Sequence, residues 1–408
     1  MKYFFIIITS ILFGLQSRSQ NSPQLVPAPE QIKLRPGKFL LSTLSVCTGT
    51  SYNEQVTFAL NDFLDYLKNR ISVEVKRAKS EATATLQVKV LHSGFEIPDY
   101  NPSDVDNKRE SYTIKISADK IYIEAYAATG LYYALQTLKQ MHESYGNAAY
   151  FPLTEITDKP KLKYRGVMMD FAHGGLLKVD EVKRQIDFLA KWKANQYYFY
   201  NEVSIQLKEY HGFQYKQAYT QAEIKDIITY GKQRHIDVIP FVAFYDLLKN
   251  EAYADLAVGN YGHELDPRKP AVAVLLKNWI KQYAELFHSP FIHIGFDETW
   301  ETHRISKEKD SSINAEQLWI DQLTMVGNEL KKYNKTVLAW TDMTRYYPEL
   351  MERVPENIIP VIWEYSPDTT ALRSFLKPVL KAEKNFFIQP AVSGWGHIYP
   401  AATYTYDN

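Results

Sequence analysis

From residue 166 onward, short apolar runs alternate with amphipathic helical patterns, and this alternation restricts the possible folds more than any other feature of the sequence. Seven runs have the length of a buried strand: residues 166–169, 197–200, 238–242, 291–294, 336–339, 358–362 and 386–388. Stripes with helical spacing lie between them, the clearest being Val272, Leu275, Leu276, Trp279, Ile280 and Tyr283. Such alternation is typical of a buried parallel sheet. Seven units in succession favour an α/β fold of the (β/α)8 TIM-barrel type over a doubly wound sheet.

The barrel is expected to occupy residues 159–408 and to be incomplete at its carboxyl end, since an eighth strand and helix are not evident between the last run and Asn408. No glycine-rich phosphate loop follows any of the seven runs, which argues against a nucleotide site.

The preceding residues, 21–158, are predicted to form a small α+β domain. Apolar residues at positions 60, 63, 64 and 67 have helical spacing. Alternating residues predict strands at 86–90, 112–116 and 121–125, the last two as a hairpin, and a second helical pattern covers 129–143.

The first twenty residues are predicted to be a secretory signal peptide. Lys2 precedes an apolar stretch over residues 3–15, and small or polar residues follow up to Gln20. The stretch is shorter than the ~20 residues of a membrane-spanning helix, although an uncleaved anchor is the alternative. We therefore expect an exported protein, periplasmic or extracellular. Cys47 is the only cysteine, so no intramolecular disulfide can form.

The charge balance excludes some classes of partner. Lysine plus arginine and aspartate plus glutamate each number 47, without the basic excess of a nucleic-acid-binding protein. The ten histidines show no His-x-x-x-His spacing, so neither a metal nor another cofactor is expected.

Carboxylates and tryptophans occur at the ends of the predicted barrel strands, where barrel enzymes place their active residues. They include Asp170, Glu202, Asp246, Asp297, Glu298, Trp340, Asp342, Trp363, Glu364 and Trp395. Any one of the tryptophans could serve packing alone. Three of them at strand ends, two with carboxylates beside them, favour a cleft that binds sugars and acts on glycosidic bonds.

The most informative segment is His293-Ile294-Gly295-Phe296-Asp297-Glu298, in which an apolar strand ends in adjacent carboxylates. Neighbouring like charges can raise the pKa of the more buried carboxyl, which could then act as a general acid. The alternative interpretation is a solvated acidic loop. Adjacent side chains diverge from Cα atoms about 3.8 Å apart, so the pair is poorly placed to attack a sugar from opposite faces.

This segment resembles the signature of glycoside hydrolase family 20, the β-N-acetylhexosaminidases, whose pattern reads approximately His-x-Gly-Gly-Asp-Glu. Three other segments resemble parts of the same family in the expected order. Residues 130–138 resemble the end of its small domain, residues 164–170 its first barrel strand with a substrate-binding arginine, and residues 338–342 its fifth-strand segment.

The resemblance implies an exo-β-N-acetylhexosaminidase with substrate-assisted retaining catalysis, in which the 2-acetamido oxygen of the substrate attacks the anomeric carbon. By this resemblance, Glu298 protonates the leaving oxygen and later activates water, while Asp297 holds the acetamido N–H. The expected partner is a glycan with a terminal N-acetylhexosamine.

The resemblance also implies a set of substrate-binding residues. Arg165 would clamp the sugar hydroxyls with its fork of donors, and Trp340 and Trp363 would wall the acetamido pocket. The predicted set is completed by Asp342, Trp395 and His293, the histidine being either a support for the acidic pair or a core residue.

The sequence departs from the family pattern at three places. Phe296 replaces the second glycine of the signature. The usual Pro-Gly-His after the third strand is absent from residues 239–246, where Tyr245 or Asp246 would have to replace the histidine. Residues 389–395 lack the usual Tyr-x-Asp.

Two other functions stay open at this point. One is an ordinary retaining glycosidase, with Glu298 as acid and Glu364 as nucleophile. The other is a glycan-binding barrel without activity. The sequence does not choose between N-acetylglucosamine and N-acetylgalactosamine as the terminal sugar.

Overall fold

The computed structural model describes residues 23–47, 53–92, 107–172, 175–202, 204–208, 217–244, 255–258, 264–365 and 369–391. Within these residues the chain forms two seven-stranded sheets, one on each side of the segment 159–165. The predicted signal peptide, residues 1–20, lies outside the described residues, as do Trp395, Tyr245 and Asp246. None of the described helices is both long and apolar enough to cross a membrane.

The small domain consists of a mixed sheet with two helices. Its strands are β1 Gln31–Leu40, β2 Thr43–Val46, β3 Glu74–Arg77, β4 Leu86–His92, β5 Tyr112–Ile116, β6 Ile121–Ala127 and β7 Tyr150–Asp158, with helices α1 Glu54–Ile71 and α2 Ala128–Ser144. The strand order is β1-β7-β5-β6-β4-β2-β3. The predicted hairpin is confirmed, since β5 and β6 pair antiparallel with Ile114 opposite Ile123.

Helix α2 is buried on nearly every side because it lies between the small sheet and the barrel. The Thr129 hydroxyl lies 3.0 Å from Nδ1 of His235, which belongs to the barrel. Near the other end of the helix, the Gln140 amide donates to the Lys191 carbonyl over 2.7 Å. These contacts join the two domains along the length of one helix.

The barrel sheet confirms the predicted alternation. Its strands are β8 Gly166–Asp170, β9 Gln196–Asn201, β10 Asp237–Val242, β11 Phe291–His293, β12 Thr336–Trp340, β13 Ile358–Glu364 and β14 Phe387–Pro390. The helices are α3 Val179–Lys191, α4 Gln221–Gln233, α5 Pro270–Leu286, α6 Trp300–Glu308, α7 Ala315–Lys331, α8 Met343–Tyr346, α9 Leu350–Arg353 and α10 Thr369–Lys381. All the strand pairs are parallel and follow chain order.

The sheet curves so that its two outer strands approach each other. The ring of Tyr164, just before β8, packs edge-on against Phe291 of β11 and Phe387 of β14. The Gln389 amide of β14 also contacts Met168 Sδ of β8 at 3.1 Å. Because the strands are parallel and curve together, their carboxyl ends meet at one mouth of the barrel.

Candidate active site

The acidic pair lies on a loop at the mouth that is held from both sides. Gly295, Phe296 and Glu298 all have positive φ, at 69°, 78° and 47°. A Cβ at Gly295 would lie 3.2 Å from the Cα of Ala243, the residue after β10, so this close contact and the positive φ both favour glycine there. The Gly295 carbonyl accepts the Trp340 N–H at 2.9 Å, which ties the loop to β12. Left-handed non-glycine residues persist only where their surroundings fix them, as these neighbours do.

Phe296, at the position of the second glycine of the signature, is packed tightly against its surroundings. Its side chain is buried and packs edge-on against Trp319 of α7, with ring centroids 6.2 Å apart. The Trp319 indole N–H donates to the Phe296 carbonyl over 3.4 Å. Packing of the phenylalanine against α7 therefore stabilises the left-handed backbone.

Asp297 and Glu298 differ in exposure, since Asp297 is half-buried and Glu298 is exposed. The charge of Asp297 acts on the Tyr200 hydroxyl of β9. Burial first, and then Glu202, Asp297 and Asp170, raise the pKa of Tyr200 above its usual range. Tyr200 also donates to Glu202 over 3.2 Å. Asp297 thus acts on groups at the carboxyl end of β9, on the far side of β10, while Glu298 stands at the exposed rim.

Asp342 connects the acid loop to β12. Its buried carboxylate accepts the Glu298 backbone N–H at 3.0 Å through Oδ2. Burial, and to a smaller extent the charge of Glu298, raise the pKa of Asp342 to about 7. A carboxyl with a raised pKa is therefore present in this site, two residues after the end of β12.

The two predicted pocket tryptophans lie beside Asp342. Trp340 is buried, with its ring 4.8 Å from that of Phe241. Trp363 is half-buried, and its indole N–H approaches Asp342 closely enough to lower the pKa of that carboxyl, without reaching hydrogen-bond geometry. The structure therefore brings Glu298, Trp340, Asp342 and Trp363 together at the mouth, and their roles towards a substrate stay predictions.

Several buried polar atoms around this loop lack a hydrogen-bond partner within the part of the chain that the structure describes. They are His293 Nε2, Thr299 Oγ1, Thr341 Oγ1, Asp342 Oδ1 and Trp363 Nε1. Buried polar groups normally have partners, and leaving one unpaired costs about 1–3 kcal/mol. A group of such atoms between tryptophans fits a ligand with both polar groups and apolar faces, as sugars have.

A buried carboxylate from outside the predicted set holds the helix that follows the acid. Glu264 accepts the backbone N–H groups of Glu301 and Thr302 at 2.6 and 2.8 Å, and the Thr302 hydroxyl at 2.6 Å. It thereby caps α6, whose N-cap residue Thr299 makes no side-chain cap. Burial raises the pKa of Glu264 to about 7.

His293 belongs to the predicted substrate-binding set, as a support for the acidic pair or a core residue, and its side chain is fully buried within the barrel. Its ring lies 4.7 Å from that of Phe241 and 4.8 Å from that of Trp340. Nδ1 accepts the Gly295 N–H at 3.2 Å, and burial lowers the pKa of the histidine to about 3. His293 is a neutral support for the acid loop and the pocket wall.

The prediction that Arg165 clamps the sugar is wrong. Arg165 precedes the first residue of β8 and so lies at the amino end of the barrel, away from the mouth. Its guanidinium forms a half-buried ion pair with Glu110 at 2.6 Å and donates to the Lys193 carbonyl. Arg165 therefore joins the barrel floor to the small domain.

No group of three or more histidine, cysteine, aspartate or glutamate side chains is arranged to hold a metal ion in the described part of the chain.

Two family models match the chain in succession. The model described as glycosyl hydrolase family 20, domain 2, matches residues 22–159, and the model described as its catalytic domain matches residues 162–388. A β-hexosaminidase from Porphyromonas gingivalis is 25% identical over 313 residues, which cover 65% of this chain and 40% of that protein. A β-hexosaminidase from Vibrio furnissii is 26% identical over 285 residues, which cover 57% of this chain and 46% of that protein. The match thus spans less than half of each of these two relatives.

Solved structures share the fold. A chitobiase from Flavobacterium johnsoniae has a TM-score of 0.71 at 23% identity, covering 88% of this chain and 58% of that one. A family 20 β-N-acetylhexosaminidase from Streptomyces coelicolor has a TM-score of 0.70 at 17% identity, and the match covers 91% of this chain and 76% of that one.

Proposed function

The chain belongs to glycosyl hydrolase family 20, and on this basis we propose that it is an exo-acting β-N-acetylhexosaminidase that releases terminal N-acetylglucosamine or N-acetylgalactosamine from glycans. The names of its relatives, β-hexosaminidases and a chitobiase, support this activity. The observation that carries the proposal is the placement of Asp297 and Glu298 side by side at the barrel mouth, with Glu298 tied to Asp342 next to Trp340 and Trp363.

The proposed reaction uses the substrate's own amide as nucleophile. The 2-acetamido carbonyl oxygen attacks C1, the bond between C1 and the glycosidic oxygen breaks, and the Glu298 carboxyl gives its proton to that oxygen. Asp297 accepts a hydrogen bond from the acetamido N–H and offsets the positive charge of the oxazolinium intermediate. Water then attacks C1 as the Glu298 carboxylate takes its proton, and the bond between C1 and the amide oxygen breaks. This step regenerates the acetamido group and the acid, and the two displacements together retain the configuration.

The unequal exposure of the two carboxyls supports this division of roles. The half-buried Asp297, close to Tyr200, suits a group that stays charged and holds the amide. The exposed Glu298 suits a group that must reach both the leaving oxygen and incoming water. The tryptophans beside Asp342 supply apolar surface for the terminal sugar and its acetamido methyl.

The alternative is an ordinary retaining mechanism with Glu298 as acid and Glu364 as nucleophile. Glu364 ends β13, which is separated by β12 from β11, the strand that precedes Glu298. Such a mechanism needs the two carboxyls about 5–5.5 Å apart on opposite sides of the sugar, and it predicts covalent labelling of Glu364 by a 2-fluoro sugar. The Glu364 carboxylate also accepts the Tyr365 N–H at 2.8 Å.

Hydrolysis of p-nitrophenyl β-N-acetylglucosaminide and galactosaminide tests the function and measures the preference between the two sugars. Glu298→Gln should lower kcat by about a thousandfold or more, since it removes the acid and base while keeping the side-chain shape. Sugar binding without turnover by the unaltered protein would instead favour a glycan-binding barrel. We also propose that the protein is exported, on the strength of the apolar stretch over residues 3–15.

A further inference from the structure

Trp300 and Tyr346 form an exposed aromatic pair. Their ring centroids are 4.9 Å apart and the ring planes meet at 80°, so the edge of one ring contacts the face of the other. Trp300 is 42% exposed and Tyr346 is 54% exposed. The exposed area is available to a ligand.

Both residues are connected to the backbone of Glu298. Trp300 begins α6 two residues after Glu298, and its N–H donates to the Glu298 carbonyl over 2.7 Å. Tyr346 ends α8, four residues after Asp342, whose carboxylate accepts the Glu298 N–H. The pair therefore bridges the loops that follow β11 and β12, on the same rim as the exposed Glu298.

The reaction determines what such a surface would face. The acid must lie beside the glycosidic oxygen, which joins the terminal N-acetylhexosamine to its leaving group. Trp340 and Trp363 are buried or half-buried, which suits the terminal sugar. Exposed groups on the rim next to the acid are in position for the leaving group, which extends towards solvent.

We propose that Trp300, braced by the edge contact with Tyr346, forms a binding subsite for the leaving-group sugar, whose apolar ring face packs on the indole. This proposal rests on the proposed hydrolase function and adds a substrate class to it: β-linked oligosaccharides are cleaved in preference to glycosides with a small leaving group. Binding energy from a part of the substrate that does not react assists the reaction of the part that does.

The test compares two substrates on the full chain. The first substrate is a disaccharide in which N-acetylglucosamine is β-linked to a second sugar, chosen from a set as the one with the highest kcat/KM for the unaltered protein. The second is methyl β-N-acetylglucosaminide, whose leaving group has no ring. We expect Trp300→Ala to lower the ratio of kcat/KM for the disaccharide to that for the methyl glycoside about tenfold. Trp300→Phe should retain most of the ratio, and Tyr346→Ala should lower it less than Trp300→Ala does.

Phe188 supplies a matched control. It is 61% exposed on α3 and forms an edge-to-face pair with Trp192, with centroids 6.1 Å apart, far from the acid loop in sequence. Phe188→Ala should keep the ratio of the unaltered protein. The subsite is refuted if Trp300→Ala leaves that ratio unchanged, whether both activities fall together or neither falls. Absence of turnover by the unaltered protein on every N-acetylhexosaminide would refute the proposed function, and the subsite with it.

Discussion

The buried carboxylate of Asp342 accepts the backbone N–H of Glu298 at 3.0 Å, and this bond fixes a residue whose φ is +47°. The proposed acid is therefore held through its main chain while its side chain stays exposed at the mouth. Geometry of this kind controls catalysis because small displacements of a catalytic group lower the rate strongly.

Asp342→Ala should lower kcat by about tenfold to a hundredfold, because an unpaired backbone donor costs about 1–3 kcal/mol and the loop loses its link to β12. Asp342→Asn keeps an oxygen that can accept the bond and should retain more activity. In steady-state kinetics with a nitrophenyl N-acetylglucosaminide, kcat should be highest for the unaltered protein, lower for Asp342→Asn and lowest for Asp342→Ala. Equal losses for Asn and Ala would mean that the bond does not position the acid.

The raised pKa of Asp342 makes stability depend on pH. A carboxyl with a pKa of about 7 when folded and 3.8 when unfolded binds more protons in the folded state between these values. Its contribution to stability is therefore fully present below about pH 4 and is lost as the pH rises through 7. Thermal unfolding at pH 5 and pH 8 should show a smaller decline in Tm for Asp342→Asn than for the unaltered protein. An identical decline in the two proteins would contradict the assignment.

Glu264 is expected to act on catalysis through the α6 cap. Glu264→Ala leaves three donors of the first turn without their acceptor, so it should lower the free energy of unfolding by about 1–3 kcal/mol and also lower kcat. Glu264→Gln keeps one acceptor oxygen and should recover part of both losses.

Glu223 is the matched control for Glu264, since it completes the capping box of α4 on another part of the barrel. Glu223→Ala should lower stability by about 1 kcal/mol without changing kcat. If Glu264→Ala likewise lowers stability alone, Glu264 does not position the acid.

Arg165 is expected to matter for folding and not for sugar binding. Arg165→Ala leaves Glu110 half-buried without its cation, so it should lower the free energy of unfolding by about 3–5 kcal/mol, as measured by denaturant titration. KM of the fraction that stays folded should be unchanged. A KM raised tenfold or more with unchanged stability would restore the clamp role.

Much of the fold follows from local patterns in the sequence. Each of the seven apolar runs corresponds to a barrel strand. The central strands β10, β11 and β12 are continuous apolar runs because they are buried on both faces. The site residues at strand ends were found for a related reason, since the ends of parallel strands meet at one edge. Trp340, Asp342 and Glu298 come together as this rule predicts.

The errors and omissions have identifiable causes. Arg165 was assigned from a resemblance, although its position before β8 already indicates the opposite end of the barrel. Tyr200 could have been found, because it shares a strand face with Tyr198 at the end nearest the mouth. Glu264 could not have been found from the sequence. Its role depends on a contact between the loop that joins β10 to α5 and the first turn of α6, and no local pattern specifies this contact.

The most direct test of the central claim is inhibition of nitrophenyl N-acetylglucosaminide hydrolysis by the thiazoline analogue of the oxazolinium intermediate. If the substrate's amide attacks while Asp297 and Glu298 assist, the thiazoline should inhibit competitively, and the matching glucoside without an acetamido group should not be cleaved. Cleavage of that glucoside, together with covalent labelling by a 2-fluoro sugar and no thiazoline inhibition, would contradict the account.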